Sequence, residues 1–448
     1  MRIKVQDLKH ALELVGPAVA RKATLPITQD VLVQGRRLTA YDLELAVVAT
    51  LPNDPSLAEP EDQDFTCTLP YKQLTDMLRH VPGSAVAQLE AQDGAVLVTA
   101  GPDRLRLPGH DPLEFPPLPQ APGEGEPVDG DRFIKGLLGA LPYTATDKSR
   151  PVLEGVCVTL GDSIQMAGAD GFRLAWQELG IKLRGSDGTG PRFVVPGHAV
   201  SALARVWGKA LKSPAAGSPA SVKPDSSPNL DLARNAVAKR MMQVQTSPDW
   251  CGFQFGEATV LVHLLQGKFP DYQTLIPADP PKKLAFDAQA AHRAVRMLAP
   301  VADADKGIIR LEWDGAQTMR MSAFSGNSGE AYTAIQVRAH GGEGKIAFHA
   351  KYLAEYLASK YGPVLLECAT PSNPGRFTHE GSPGVIIMPM FVAWEGEPVP
   401  AAAEAAAPDQ TSPEEVDETE DQTGPDEPVA PPEAARAPRR GGRRAAQK

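Results

Sequence analysis

Several things are missing from this chain of 448 residues. There is no stretch of about 18 consecutive apolar residues, and no secretory leader opens it, so a soluble cytoplasmic protein is expected. Cysteine is scarce. Cys67, Cys157, Cys251 and Cys368 are far apart in sequence and lack any CxxC or Cys/His spacing of a zinc site. They read as reduced, small core residues, and no metal or cofactor is expected. Catalytic spacings are missing too: the nine histidines are scattered without HExxH, and no GxGxxG, GxxxxGK[ST] or GxSxG sits in its required context. An excess of positive charge is also absent. The formal net charge is -10. From Pro400 onward lie 11 acidic and 6 basic residues, which leaves 39 basic against 44 acidic in the rest. Net charge alone argues against a nucleic-acid binder, so any basic surface must be local and offset by an acidic one elsewhere.

What the sequence does contain is a repeat. In the stretch from Ser149 to Ala175, two β-like runs, Leu153 to Leu160 and Ser163 to Gly168, are joined at Gly161-Asp162, and the second ends in Ala169-Asp170-Gly171. Upstream, Val128 to Leu141 carries Phe133, Leu137, Leu138 and Leu141 at helical spacing, with Asp129 and Asp131 as candidate N-caps. Downstream, Pro196 opens a second helical stretch. The first 120 residues contain partners for each landmark. Leu8 and Phe133 are 125 positions apart, as are Pro26 and Pro151; Asp42 and Asp170 are 128 apart, and Leu74 and Val200 are 126 apart. A near-constant offset over independent landmarks marks an internal duplication.

A third copy starts near Phe286, with Ala291, Val295 and Leu298 repeating the stripe of Leu8, Leu12 and Val15. Ser325 falls where Asp170 stood, and FHAKYLAEYL repeats the second helix. The later offsets exceed the earlier by about 30 residues, and Lys212 to Val237, rich in Pro, Ser, Ala and Asn, accounts for the excess as a disordered insertion. From Glu395 the composition turns to Ala, Pro, Glu and Asp and then to arginine, a disordered tail first acidic and then basic. The expected organisation is α+β: domains at 1–121, 122–280 and 281–395, each with about two helices and a majority of strands, then the tail at 396–448. Similar units joined by short linkers tend to repeat one interface, which builds an arc or a ring.

ADGFRLA at 169–175, GKFPDYQTLIP at 267–277, TLPI at 24–27 and VIIMPM at 385–390 resemble the corresponding motifs of the bacterial DNA polymerase III beta subunit, the sliding clamp. With the triple repeat, the resemblance spans about residues 1–394. It implies a head-to-tail homodimer whose six domains close around duplex DNA, with helices lining the hole and sheets forming the wall. It implies a non-catalytic processivity factor whose partners are DNA read without sequence preference, the DNA polymerase, the clamp loader and other proteins carrying a short linear peptide. Carried over by position, the peptide pocket is Leu153, Ala169, Gly171, Phe172, Arg173, Leu174, Pro270, Thr274, Leu275, Ile386, Met388, Pro389 and Met390. Leucines and methionines suit an adaptable apolar groove, and Arg173 at the rim is placed to orient a peptide carbonyl or carboxylate. Three departures bear on peptide preference: Phe172 stands where the family usually has His, Thr274 where a basic residue is common, and the chain continues past Met390.

For DNA, the basic residues on the repeated helices and adjoining loops are Lys22, Lys72, Arg79, Lys135, Lys148, Arg150, His198, Arg205, Arg293 and Lys351. Lys72, His198 and Lys351 recur near the start of each second helix, a pattern that suits sequence-independent phosphate contact. An alternative reading is a clamp-like scaffold or decoy that binds the same peptides without being loaded on DNA. Asp42 and Asp170 imitate a catalytic pair, but each precedes a turn and reads as an Asx residue.

Overall fold

Eight strands and two helices recur three times in the same order among the described residues. The first set is β1 (Arg2–Lys4), α1 (Val5–Val15), β2 (Asp30–Gln34), β3 (Arg37–Tyr41), β4 (Leu45–Thr50), β5 (Thr66–Pro70), α2 (Tyr71–Leu78), β6 (Val86–Gln92), β7 (Ala95–Ala100) and β8 (Asp103–Pro108). The second is β9 (Glu126–Asp129), α3 (Gly130–Ala140), β10 (Gly155–Leu160), β11 (Ile164–Ala169), β12 (Arg173–Glu178), β13 (Arg192–Pro196), α4 (Gly197–Ala210), β14 (Met241–Thr246), β15 (Trp250–Phe255) and β16 (Ala258–His263). The third is β17 (Lys282–Asp287), α5 (Ala288–Ala302), β18 (Ile308–Trp313), β19 (Thr318–Ser325), β20 (Gly329–His340), β21 (Gly344–His349), α6 (Ala350–Leu357), β22 (Pro363–Cys368), β23 (Gly375–His379) and β24 (Gly384–Ile387).

The computed structural model describes residues 1–394 apart from 93, 121–122, 124, 182–189, 213–239, 304–305, 316 and 327, and apart from the side chains of 60 and 61. The expected insertion at 212–237, Lys212 aside, and the expected tail at 396–448 lie outside the described residues. Met1–Val392 forms one unit; of the second, Ala393–Lys448, only residues 393 and 394 are described.

The first helix of each set is held by the same apolar stripe. Leu8, Leu12 and Val15, then Phe133 and Leu137, then Ala291, Val295 and Leu298 are all buried. Asp129 caps α3 by accepting the Arg132 N–H at 3.0 Å, and Asp287 caps α5 by accepting the Ala290 N–H at 2.8 Å, contacts worth about 1 kcal/mol each. Three local expectations need correcting. Val128 lies within strand β9 rather than opening the helix, because its partner strand β14 claims it opposite Met242. Leu138 is exposed, since the 3.6-residue period turns it away from the face that Phe133 and Leu137 bury. Residues 151–153 form a 3-10 turn and β10 starts only at Gly155; Pro151 has no N–H for a ladder but suits the first position of a turn. Pro26 does the same at Pro26–Gln29 in the first set.

The sheets cross from one set to the next. One eight-stranded sheet runs β5-β2-β3-β4-β16-β15-β14-β9, and a twelve-stranded one runs β13-β10-β11-β12-β24-β23-β22-β17-β20-β19-β18-β21. Thus β4 of the first set pairs with β16 of the second, Val47 opposite Val260, and β12 of the second pairs with β24 of the third, Leu174 opposite Ile386. A separate four-stranded sheet, β1-β6-β7-β8, ends at β8. The four cysteines are free and buried. Burial pushes the Cys67 thiol up to about 12 and that of Cys368 to about 11.

Candidate peptide groove and nucleic-acid interface

Asp170 sets the geometry at the heart of the groove. Its Oδ1 accepts the N–H groups of Phe172 and Arg173, both at 2.9 Å. Asp42 repeats the arrangement on Glu44 at 3.0 Å and Leu45 at 2.7 Å. Both carboxylates hold Asx turns, and the residue after each lies in the left-handed region, Gly171 at φ 91° and Leu43 at φ 81°. Ser325 accepts the Ser328 N–H at 3.3 Å in the third set.

Beyond this turn, β12 and β24 bring together segments over 200 residues apart. Leu174 lies opposite Ile386, and the Met388 N–H extends the ladder to the Phe172 carbonyl at 2.8 Å. Leu153, Leu174 and Ile386 are buried in one apolar cluster with Ala169 packed against it. Phe269 and Tyr272 belong to the same cluster, which draws the 267–277 segment alongside. Phe172, Leu275 and Met388 remain exposed at 54%, 55% and 43%, and Pro270 and Thr274 are exposed too. Pro389 and Met390 are half-buried, and the Met390 N–H donates to the Ala347 carbonyl at 2.8 Å. The result is a buried aliphatic floor bordered by large exposed apolar side chains, a surface suited to short apolar segments.

Arg173 is the exception to the expected arrangement. It is buried rather than at a rim, because its guanidinium is fully engaged. Its Nε donates to Asp170 Oδ2 at 2.9 Å and its Nη2 to the Pro142 carbonyl at 3.0 Å, while Nη1 pairs with Glu355. The guanidinium carbon lies 4.8 Å from the Tyr352 ring and 5.2 Å from that of Tyr143. Phe172 also stacks on Tyr352, ring centroids 6.2 Å apart. Arg173 therefore ties the start of β12 to α6. Tyr352 and Glu355 belong to this constellation and carried no signal in the sequence beyond the helical period.

The ten basic residues expected to meet DNA are all exposed. Lys72, His198 and Lys351 each occupy the second position of α2, α4 and α6. Lys135, Arg205 and Arg293 lie on α3, α4 and α5, and Arg296 joins Arg293 one turn on, a position the sequence reading passed over. Lys22 and Lys148 lie in loops. Two of the set are ion-paired, Arg79 with Asp76 at 3.1 Å and His198 with Glu44 at 3.3 Å, and Arg205 Nε donates to the Ser201 carbonyl at 3.2 Å. Arg150 stands apart from the others. Its guanidinium lies directly against Gly171, where any side chain would collide with it, so it borders the groove.

Three repeats of two helices and eight strands, with sheets joined from one repeat to the next, define a clamp-type α+β protein. Residues 1–119 match the family described as DNA polymerase III beta subunit, N-terminal domain. The chain is 26% identical over 405 residues to the beta sliding clamp of Synechococcus elongatus, covering 86% of this chain and 97% of that one. It is 24% identical over 397 residues to the beta sliding clamp of Pseudomonas aeruginosa, covering 87% and 98%. Its fold is that of the solved DNA polymerase III subunit beta from Pseudomonas aeruginosa, with a TM-score of 0.73 at 22% identity over 88% of this chain and 100% of that one. The sliding clamp from Bacillus subtilis gives 0.72 at 17%, over 88% and 99%. The chain is thus similar in sequence and in fold to the bacterial beta sliding clamps.

Proposed function

We propose that this protein is a cytoplasmic, non-catalytic sliding clamp: two copies close head to tail around duplex DNA, and DNA polymerase and other partners are tethered through the groove at Leu174, Ile386 and Met388. The observation that carries the reading is a joint used twice and left open once. The fourth strand of one set pairs with the last strand of the next at β4·β16 and again at β12·β24. Among the described residues, the remaining fourth-strand equivalent is β20, whose residues Gly329–Gln336 pair with β19 alone while Val337–His340 pair with β17, and the remaining last strand is β8, which pairs only with β7. A second copy supplies the missing partner at each end, and two chains of three repeats joined in this way make a closed six-repeat ring. Continuing the register of the two observed joints sets Arg106 opposite Gly329 and Arg104 opposite Ala331 of the neighbouring copy.

The charge distribution supports the DNA part of this reading. A cation or histidine at the second position of α2, α4 and α6 meets its counterparts around one hole in a ring of repeats. Such contacts attract phosphate without reading sequence, while encirclement retains the protein by topology. The modest negative charge of the body is then compatible with sliding. Sedimentation equilibrium tests the assembly: a dimer that grows no further with concentration is expected, and either a monomer or an open series of oligomers counts against it.

A further inference from the structure

A cleft of about 630 Å³ opens between β13, the turn after β14 and the 264–269 segment. Its walls are Val194, Pro248, Leu265 and Phe269, with Arg192 and Lys268 at its edge. Arg192 lies 5.7 Å from the Phe269 ring and 5.6 Å from that of Tyr272, and its Nη2 donates to the Pro270 carbonyl at 3.0 Å. Neither Arg192 nor Lys268 has a carboxylate within ion-pair distance among the described residues, and Asp249 and Asp271, close by in sequence, form no part of the lining.

The repeat supplies an internal control. The equivalent cleft in the first set, about 440 Å³ between β5 and the segment after β8, is lined by Thr68, His110 and Asp111 and by no lysine or arginine. There His110 is spent on Asp30 at 2.7 Å. The fold makes the cleft in both places, but only the second set furnishes it with two unneutralised cations. That cleft adjoins the groove, since Phe269 lines it and packs in the buried cluster of Leu174 and Ile386.

We infer that this cleft is a second station for the partner peptide, taking an acidic segment that flanks the apolar part seated in the groove; it rests on the groove reading above. The two cations and the apolar wall favour a Glu- or Asp-rich flank with an adjacent aliphatic residue.

The test uses the full chain and three fluorescein-labelled probes in anisotropy titrations: an octapeptide with a Leu-Phe core, and the same peptide with Glu-Glu-Leu added at either end. One acidic extension is expected to tighten binding about three- to tenfold. The increment is expected to vanish in Lys268→Glu, persist in Lys268→Arg and shrink in 0.5 M NaCl, with the bare peptide unaffected throughout. No increment from either extension, or one that survives in Lys268→Glu, overturns the inference and leaves the groove reading intact. Failure of the bare peptide to bind refutes the groove reading, and this inference with it.

Discussion

Arg173, at the start of β12, is ion-paired with Glu355 on α6, 182 residues further along the chain. The pair locks the groove to a helix whose second residue, Lys351, faces solvent. With Asp170 and the Pro142 carbonyl also engaged, Arg173 is a structural clip. Replacing it with alanine leaves Asp170 and Glu355 without their cation and is expected to cost about 3 kcal/mol. Glu355 is partly exposed, so Glu355→Ala is expected to cost only about 1 kcal/mol. Urea unfolding of both variants checks the ranking; equal and small losses contradict it.

The exposed groove residues are separable from the core. Met388→Ala and Phe172→Ala are expected to weaken an apolar peptide about tenfold each. Their thermal midpoints are expected to stay within about 2 °C of the parent, because both side chains are substantially exposed. Unchanged affinity in both variants, measured by anisotropy, rules out the groove as drawn.

The ring joint is testable by cross-linking. A chain carrying Arg104→Cys and Ala331→Cys is expected to oxidise to a covalent dimer and nothing larger, whereas an open head-to-tail chain yields a ladder of products. The native thiols do not interfere. With Cys67 and Cys368 pushed up to about 12 and about 11 by burial, fewer than about one thiol in a hundred is ionised at pH 8. The folded parent is therefore expected to give almost no reaction with Ellman's reagent at pH 8, with reactivity rising toward pH 11, and four thiols in urea. A fast thiol in the folded parent at pH 8 contradicts this.

Lys72→Glu and Lys351→Glu address the proposed DNA face. Each is expected to reduce salt-dependent DNA retention and, combined, to flatten the dependence of affinity on salt by about two phosphate contacts. Peptide affinity is expected to be unaffected. A variant pair that retains parental salt dependence removes these helices from the DNA face.

The sequence carried the repeated local features well. Pro26 and Pro151 open equivalent turns, Asp42 and Asp170 hold equivalent Asx turns, and the apolar stripes of α1, α3 and α5 are buried as their spacing requires. Each depends on interactions within a few residues, which is where sequence patterns are informative. The sheet joints were not legible, because Leu174 opposite Ile386 is a pairing between segments with no local signature. Arg173 reads as an exposed cation until Glu355 and Tyr352 are brought to it from the third repeat. Arg150 looked like one more loop cation until the left-handed Gly171 beneath it placed it at the groove.

The most direct measurement is retention of the purified protein on nicked circular DNA with a clamp loader and ATP, before and after the circle is cut. The account predicts stable retention on the circle and rapid release on linearisation, with release insensitive to sequence. No retention on the circle, while an apolar partner peptide still binds, contradicts the clamp reading and favours a scaffold or decoy that is never loaded.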